Sequence, residues 1–422
     1  MKQSFRIFTL GCKVNQYESQ VIREKFLSAG FRETSKKRAD IYLINTCTVT
    51  HHADRSSRQL TRLSLHANPR AKVLITGCYV ERDARRLVEI SDRVRIIRQR
   101  EKYSALSLLT KHKAQHSKLL RSSFHGQIAG FIGHQRAFVK IQDGCDNFCA
   151  YCKVPLVRGR SRSRPLKQIV SEAKCLLENG FKEIVLTGIC LGDYHYRNFE
   201  LADVVAALSK IKCDFRIRLS SVEPQLVSLR LIESLNSPKV CPHLHIPLQS
   251  GDNTILGSMN RQYTRSEYLG LIKKINKRVK DVAITTDVLV GFPNESDKNF
   301  QNTIDCIKKI APLRTHIFSF SPRPGTAAFS LSGRIDSGAI KARVNQLKEV
   351  TDQCSLKFRQ RFLGRKLEVL VEAQPDQQNK QFSGYSENYI RVQVANATKK
   401  HVGQLTPVKI NSVGPVLTTA YK

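Results

Sequence analysis

Eight residues near the middle of the chain, Cys145-Asp-Asn-Phe-Cys149-Ala-Tyr-Cys152, carry three thiols at C-x3-C-x2-C spacing. Thiolates this close on one loop can serve a single metal centre. Zinc wants a fourth ligand, and the histidine that precedes the motif, His134, lies before the strand that leads into the loop. Iron–sulfur clusters are held by Cys thiolates. Three thiolates on a four-iron cubane leave one iron open to a substrate or cofactor. Zinc and a purely structural loop are the alternatives.

A second set of thiols is dispersed. Leu-Gly-Cys12, Asn-Thr-Cys47 and Thr-Gly-Cys78 each end a short β-branched or apolar run. If those runs are parallel strands, their C-terminal ends share one sheet edge, where ligands sit. Thiols more than 30 residues apart would then converge. Three buried cysteines are the bland reading. Cys175, Cys213, Cys241, Cys306 and Cys354 fit no spacing and read as core or surface thiols.

The elements that must position these residues alternate. Arg6–Leu10, Ile41–Ile44 and Lys72–Ile75 read as strands, with helices over Asn15–Ala29 and Ala53–Ala67 and a helical stretch after Glu81. That pattern predicts a parallel α/β sheet. A second α/β region follows, with strands Phe138–Ile141, Glu183–Leu186, Arg216–Leu219, His243–Ile246, Ala283–Val290 and Thr315–Ser319, and helices such as Leu166–Glu178 and Asn299–Ile310. Six βα units fit a full or partial (β/α) barrel. Short β-rich runs at Lys366–Glu372, Tyr389–Val394, Gln404–Ile410 and Val416–Thr419 predict a small C-terminal antiparallel β-barrel. The expected fold class is therefore α/β, in four segments: 1–115 with the dispersed cysteines, a linker at 116–135, a barrel at 136–360 and the β-barrel at 361–422.

Composition narrows the partner. Of 422 residues 41% are apolar and 25% charged, which excludes a disordered or collagen-like chain. Lys+Arg is 70 against Asp+Glu 35, a net charge of +35, and nucleic acid is the usual partner of so basic a protein. No apolar run is long enough to span a membrane. Leu10-Gly11-Cys12 imitates a lipoprotein cleavage site, but the apolar stretch before it is short and broken by Arg6. A cytoplasmic location is expected, where cysteines are more often metal ligands than disulfides.

The C-x3-C-x2-C loop after a first barrel strand resembles the radical S-adenosylmethionine (SAM) superfamily. The surroundings Gln142-Asp-Gly-Cys, Arg158-Gly-Arg-Ser-Arg-Ser-Arg-Pro165, Gly11-Cys-Lys-Val-Asn-Gln-Tyr-Glu18, Asn45-Thr-Cys-Thr-Val49 and Thr76-Gly-Cys-Tyr79 resemble its methylthiotransferases. Within them, the Gly11–Glu18 string, Lys140-Ile-Gln-Asp-Gly-Cys and Leu186-Thr-Gly-Ile resemble the branch that acts on tRNA threonylcarbamoyladenosine (t6A). The resemblance covers the whole chain and includes a TRAM-type RNA-binding barrel at the C-terminus. It implies two [4Fe–4S] clusters, a radical cluster on Cys145, Cys149 and Cys152 and an auxiliary cluster on Cys12, Cys47 and Cys78. It implies SAM as cofactor and insertion of a methylthio group at C2 of the t6A beside the anticodon. The partners would be the tRNA anticodon loop, an electron-donor protein and a sulfur source. The alternatives are the isopentenyladenosine branch, the ribosomal-protein aspartate branch, and a non-catalytic metal-dependent RNA-binding protein.

SAM would lie over the barrel mouth at the strand ends. Gly188 would let backbone approach its methionyl part, and Glu223 and Gln249 would bond its ribose or amino group. Asp287 would be either a further SAM contact or a structural partner of a core arginine. Cys190 stands where the family usually has His or Asn, and Asn294 where a Gly is common. Arg158, Arg160, Arg162 and Arg164 alternate after the cysteine loop and are expected to meet RNA phosphates, extended by Arg55, Arg58, Arg62, Lys399 and Lys400.

Overall fold

Ile41–Thr46 (β2) is buried at every position, as the middle strand of a parallel sheet should be. Its neighbours are β1 (Ser4–Thr9) and β3 (Lys72–Gly77), flanked by β4 (Val94–Ile96) and a two-residue edge strand, Arg32–Glu33. The order is edge–β1–β2–β3–β4, all parallel. Helix α1 (Lys13–Ser28) starts directly after Cys12, and α3 (Cys78–Asp83) starts on Cys78 itself. Helix α2 (His51–Ala67) is capped by Thr50, whose side chain accepts the Ala53 N–H. Strands β2 and β3 run two residues further than periodicity alone suggests, because the polar residues Asn45, Thr46 and Thr76 continue the ladder, whereas β1 starts two residues before the expected Arg6 and ends at Thr9, one short of Leu10.

The computed structural model describes residues 3–109, 126–373 and 381–422. Residues 116–125 of the expected linker lie outside them. The chain forms two compact units: 1–130 with the segments 143–147 and 152–164, and 131–142 with 148–151 and 165–422.

The second unit contains six parallel strands. β5 (Ala137–Lys140), β6 (Glu183–Thr187) and β7 (Arg216–Leu219) form one sheet, and β8 (His243–His245), β9 (Ala283–Val290) and β10 (Arg314–Ser319) another. Isolated parallel bridges, Ile217 to Val240 and Ser221 to His245, join the two into one curved wall, a partial (β/α) barrel. Helices α4 (Leu166–Glu178), α5 (Leu201–Ser209), α6 (Arg265–Arg278) and α7 (Asp297–Ile310) intervene. Capping boxes fix the starts of the last three, with Thr264 and Glu267 reciprocating at α6.

After α8 (Ser337–Gln360) comes a closed barrel of β11 (Lys366–Val371), β12 (Phe382–Ser386), β13 (Arg391–Ala395), β14 (Leu405–Val413) and β15 (Thr418–Tyr421). It is antiparallel except where β13 meets β15 in parallel. Strand β12, Phe-Ser-Gly-Tyr-Ser, escapes a sequence reading because its Ser and Gly look like a turn. Gly384 is required there, since a Cβ would sit 2.0 Å from the Leu370 carbonyl oxygen.

Glu183 ties the two barrels of this unit together. It is wholly buried and accepts from Arg216 Nε and Arg218 Nε, both at 2.7 Å. The same arginines donate to carbonyls of Glu368, Tyr385, Ser386 and Glu387 in or beside β11 and β12. Burial alone would raise the Glu183 carboxyl, but the two guanidinium groups outweigh it and hold it far below the usual range. Removing one member of such a buried set strands the opposite charge. Glu183→Gln is therefore expected to cost about 3–5 kcal/mol, read as a lower urea midpoint.

Candidate functional site

The ends of β1, β2 and β3 are knitted together before any thiol is considered. Asn15 Nδ2 donates to the carbonyls of Leu10, at 2.7 Å, and Thr46, at 3.0 Å. Thr46 Oγ1 donates to the Thr76 carbonyl at 2.6 Å. Cys12, Cys47 and Cys78 stand on this one edge, none of them in a disulfide. Gly11 makes the approach feasible: its φ is +94°, and a Cβ there would lie 2.8 Å from Cys47 Sγ. Burial pushes the Cys47 thiol up to about 11 and raises Cys78 as well, so a cation must displace their protons on binding. Ligands of one tetrahedral zinc lie about 3.8 Å apart, from Zn–S bonds of about 2.3 Å. Among the described residues only His245, Asp287 and His316 gather tightly enough for a single ion.

Behind these thiols is a buried ionic group that the spacing of the cysteines does not reveal. Glu18 forms an ion pair with Lys102 Nζ at 2.5 Å and accepts from Arg158 Nη1 at 3.1 Å. Arg158 Nη1 also donates to Asp143 at 2.9 Å, and Nη2 donates to Asn15 Oδ1 at 2.5 Å. Arg158 is among the groups whose charge acts on Cys47 and Cys78.

This corrects the alternating-arginine expectation. Arg158 is 4% exposed and Arg164 1%, the latter donating to the Tyr17 hydroxyl at 3.3 Å. They face inward because 158 closes a short helix, Val154–Arg158, and the chain then turns through Gly159 at φ +75°. Arg160 and Arg162 are the exposed pair, Arg160 resting on Asp146 at 3.0 Å. Arg55, Arg62, Lys399 and Lys400 are exposed, while Arg58 donates to Tyr79 Oη at 2.7 Å.

The Cys145–Cys152 loop follows β5 as expected. Cys145 Sγ accepts the Asn147 N–H, and Cys152 Sγ the Val154 N–H, each at 3.4 Å. In the second unit the Ala150 N–H donates to the Met259 carbonyl at 2.9 Å. Arg261, which the sequence reading missed, donates to Cys149 Sγ at 3.3 Å and pairs with Glu223. Nothing in its spacing marks it, since it sits in a turn more than 100 residues downstream.

The four residues expected at SAM are all on the second unit and are differently occupied. Glu223 is held by Arg261. Gly188 packs on Gln142, whose Oε1 accepts the Ile189 and Cys190 N–H groups at 2.9 and 2.8 Å. Gln249 has a left-handed backbone, φ +63°, and its N–H donates to the Asp287 carbonyl at 2.8 Å. The Asp287 carboxylate takes His245 and His316, each at 3.1 Å, and no core arginine among the described residues.

A partial (β/α) barrel whose first strand feeds a three-cysteine loop defines the radical SAM class. Comparison agrees: the radical SAM superfamily model matches residues 139–307, and an uncharacterized family, UPF0004, matches 4–98. A solved radical SAM methyltransferase, TsrM of Kitasatospora setae, shares the fold with a TM-score of 0.57 at 12% identity, over 78% of this chain and 77% of that one. The threonylcarbamoyladenosine tRNA methylthiotransferase MtaB of Bacillus subtilis is 34% identical over 96% of this chain and 93% of its own length. The tRNA-2-methylthio-N6-dimethylallyladenosine synthase of Acetivibrio thermocellus is 31% identical over 98% and 89%. The chain belongs to the radical SAM tRNA methylthiotransferase family. Four t6A-named relatives are 33–36% identical and four dimethylallyl-named ones 31–33%. SAM and [4Fe–4S] clusters are the cofactors of this class. No helix among the described residues is long and apolar enough to cross a membrane.

The two kinds of arginine separate experimentally. Arg158→Gln is expected to cost about 3–5 kcal/mol of stability, whereas Arg160→Gln and Arg162→Gln should stay within about 0.5 kcal/mol, by urea unfolding. Burial opposes ionisation of Asp287, but the hydrogen bonds from His245 and His316 outweigh it and hold the carboxyl at about 2. Its stabilisation is complete above the ordinary value near 4 and is lost as pH falls toward 2. The melting temperatures of wild type and Asp287→Asn should therefore converge across that window.

Proposed function

We propose that this protein adds a methylthio group to C2 of t6A at position 37 of tRNA. The observation that carries the reading is the gathering of Cys12, Cys47 and Cys78 on one sheet edge, separate in sequence from the Cys145–Cys152 loop. That supplies two three-thiol sets, one for an auxiliary and one for a radical [4Fe–4S] cluster. When bound, SAM and the clusters supply the carbon radical and the sulfur that acid–base chemistry on an aromatic C–H cannot.

The chain's own part is positional. Arg261 fixes Cys149 and holds Glu223 near it, and Arg158 places a cation behind the N-terminal thiols. Arg160 and Arg162 offer the exposed charge for phosphates, so affinity should fall steeply with salt. Anticodon-loop bases are already unpaired, which keeps the cost of exposing position 37 low. An electron-donor protein, a sulfur source and a cytoplasmic location complete the reading. The slightly higher identity to t6A-named relatives favours t6A over the dimethylallyl substrate.

Nucleoside mass spectrometry of bulk tRNA tests it. Deletion should abolish 2-methylthio-t6A and raise t6A, with rescue by wild type but not by Cys149→Ala. Unchanged 2-methylthio-t6A would overturn the assignment. Anaerobically reconstituted protein should hold about eight irons, and Cys12→Ala/Cys47→Ala/Cys78→Ala about four.

A further inference from the structure

Inside the partial barrel, five side chains form one hydrogen-bonded line. His243 Nε2 meets Thr285 Oγ1 at 2.9 Å, and Thr285 Oγ1 meets His245 Nδ1 at 2.9 Å. His245 Nε2 meets Asp287 Oδ1 at 3.1 Å, and His316 Nδ1 meets the same oxygen at 3.1 Å. Side chains alternate along a strand, and Thr286 bonds Tyr268 of α6 on the outer face, so Thr285 and Asp287 point inward. His316 stands beside Asp287 in register on the neighbouring strand.

The directions of the bonds follow from the carboxylate. An ionised Asp287 only accepts, so His245 Nε2 and His316 Nδ1 both carry hydrogen. His245 Nδ1 then accepts from Thr285, and Thr285 accepts from His243. His316 Nε2 is left over, with no partner among the described residues, on a side chain 47% exposed while Asp287 and His245 are 21% and 14%. The line thus presents one oriented imidazole nitrogen to the barrel interior, backed by a carboxylate. The other charged group on this face of β10 is Arg314, whose guanidinium stacks on Tyr385 and Tyr389.

We propose that His316, oriented by Asp287, accepts at Nε2 a hydrogen bond from a hydroxyl or N–H of the threonylcarbamoyl substituent of the substrate adenine and so selects it over an apolar one. This rests on the t6A reading above. The chemistry is specific: with its hydrogen on Nδ1 and held by Asp287, His316 leaves Nε2 as an acceptor, which suits a substituent that brings hydroxyl or N–H donors, whereas a dimethylallyl group offers it nothing and would leave it unsatisfied. The close approach of two His and one Asp needs no ion, because the shared oxygen accepts both N–H groups.

The test measures binding. Anticodon stem–loops identical except at position 37 (t6A, dimethylallyladenosine or adenosine) are titrated against the reconstituted holoenzyme with SAM, by fluorescence anisotropy. Wild type should prefer the t6A RNA over the adenosine RNA by roughly three- to tenfold, the worth of one hydrogen bond. His316→Phe should reduce that preference to within about twofold while leaving the adenosine RNA unchanged, which also reports an intact fold. His316→Gln, whose amide oxygen keeps an acceptor, should retain part of the preference. Equal weakening on all three RNAs, or an undiminished preference in His316→Phe, overturns the proposal. So does a preference abolished by EDTA, which would assign the same three side chains to a cation. A wild type without preference overturns it too, while tRNA nucleoside analysis decides the t6A reading independently.

Discussion

A parallel sheet delivers the C-terminal end of every strand to one edge, and both thiol sets depend on that constraint. In the N-terminal sheet it brings together residues 12, 47 and 78, which no local motif could gather. In the barrel it sets the Cys145–Cys152 loop after β5 and the 220–224 and 246–251 segments after β7 and β8. The polar residues at those ends, Asn15, Thr46 and Gln142, spend their side chains on neighbouring backbone. Loops that carry chemistry are thereby fixed without the regular ladder that ended a residue or two earlier.

Much of this was legible in the sequence, for reasons that differ by element. The long strands of the N-terminal sheet and of the barrel are apolar, β-branched runs bounded by Gly or polar residues, so their existence follows from pattern, whereas the short strands Arg32–Glu33 and Val94–Ile96 and the sheet order do not. The position of the six cysteines after strand ends was legible because thiol spacing and strand boundaries are local properties. Arg261, Glu18 and Lys102 were not, because each acts through a partner far away in sequence, Cys149 or Arg158. The strand Phe382–Ser386 was hidden by its composition, since only its neighbours in the barrel explain a Ser and a Gly there.

The arginines show where charge arithmetic stops. A net charge of +35 speaks of the surface only if the cations are on it. Arg158, Arg164, Arg216 and Arg218 are buried and answer to internal carboxylates, hydroxyls and carbonyls. Alternation along Arg158–Arg164 reads as one strip, yet a helix end and a left-handed glycine divide it into inward and outward halves. Burying a guanidinium is costly unless its donors are met, and Arg216 and Arg218 meet theirs on Glu183 and on carbonyls of a separate segment. They are fixed framework rather than a mobile electrostatic field.

The carbonyls that receive Arg216 and Arg218 belong to β11, β12 and the turn after it, and Tyr389 in the same stretch lies over His243 with ring centroids 4.4 Å apart. A C-terminal module joined this way is not interchangeable cargo on a tether. Recombination that swapped it for another small barrel would have to reproduce main-chain acceptors at the same four places, or else expose the floor of the catalytic barrel. The lineage is thus free to vary the outer loops of the module while inheriting its seat as one piece with strands β6 and β7.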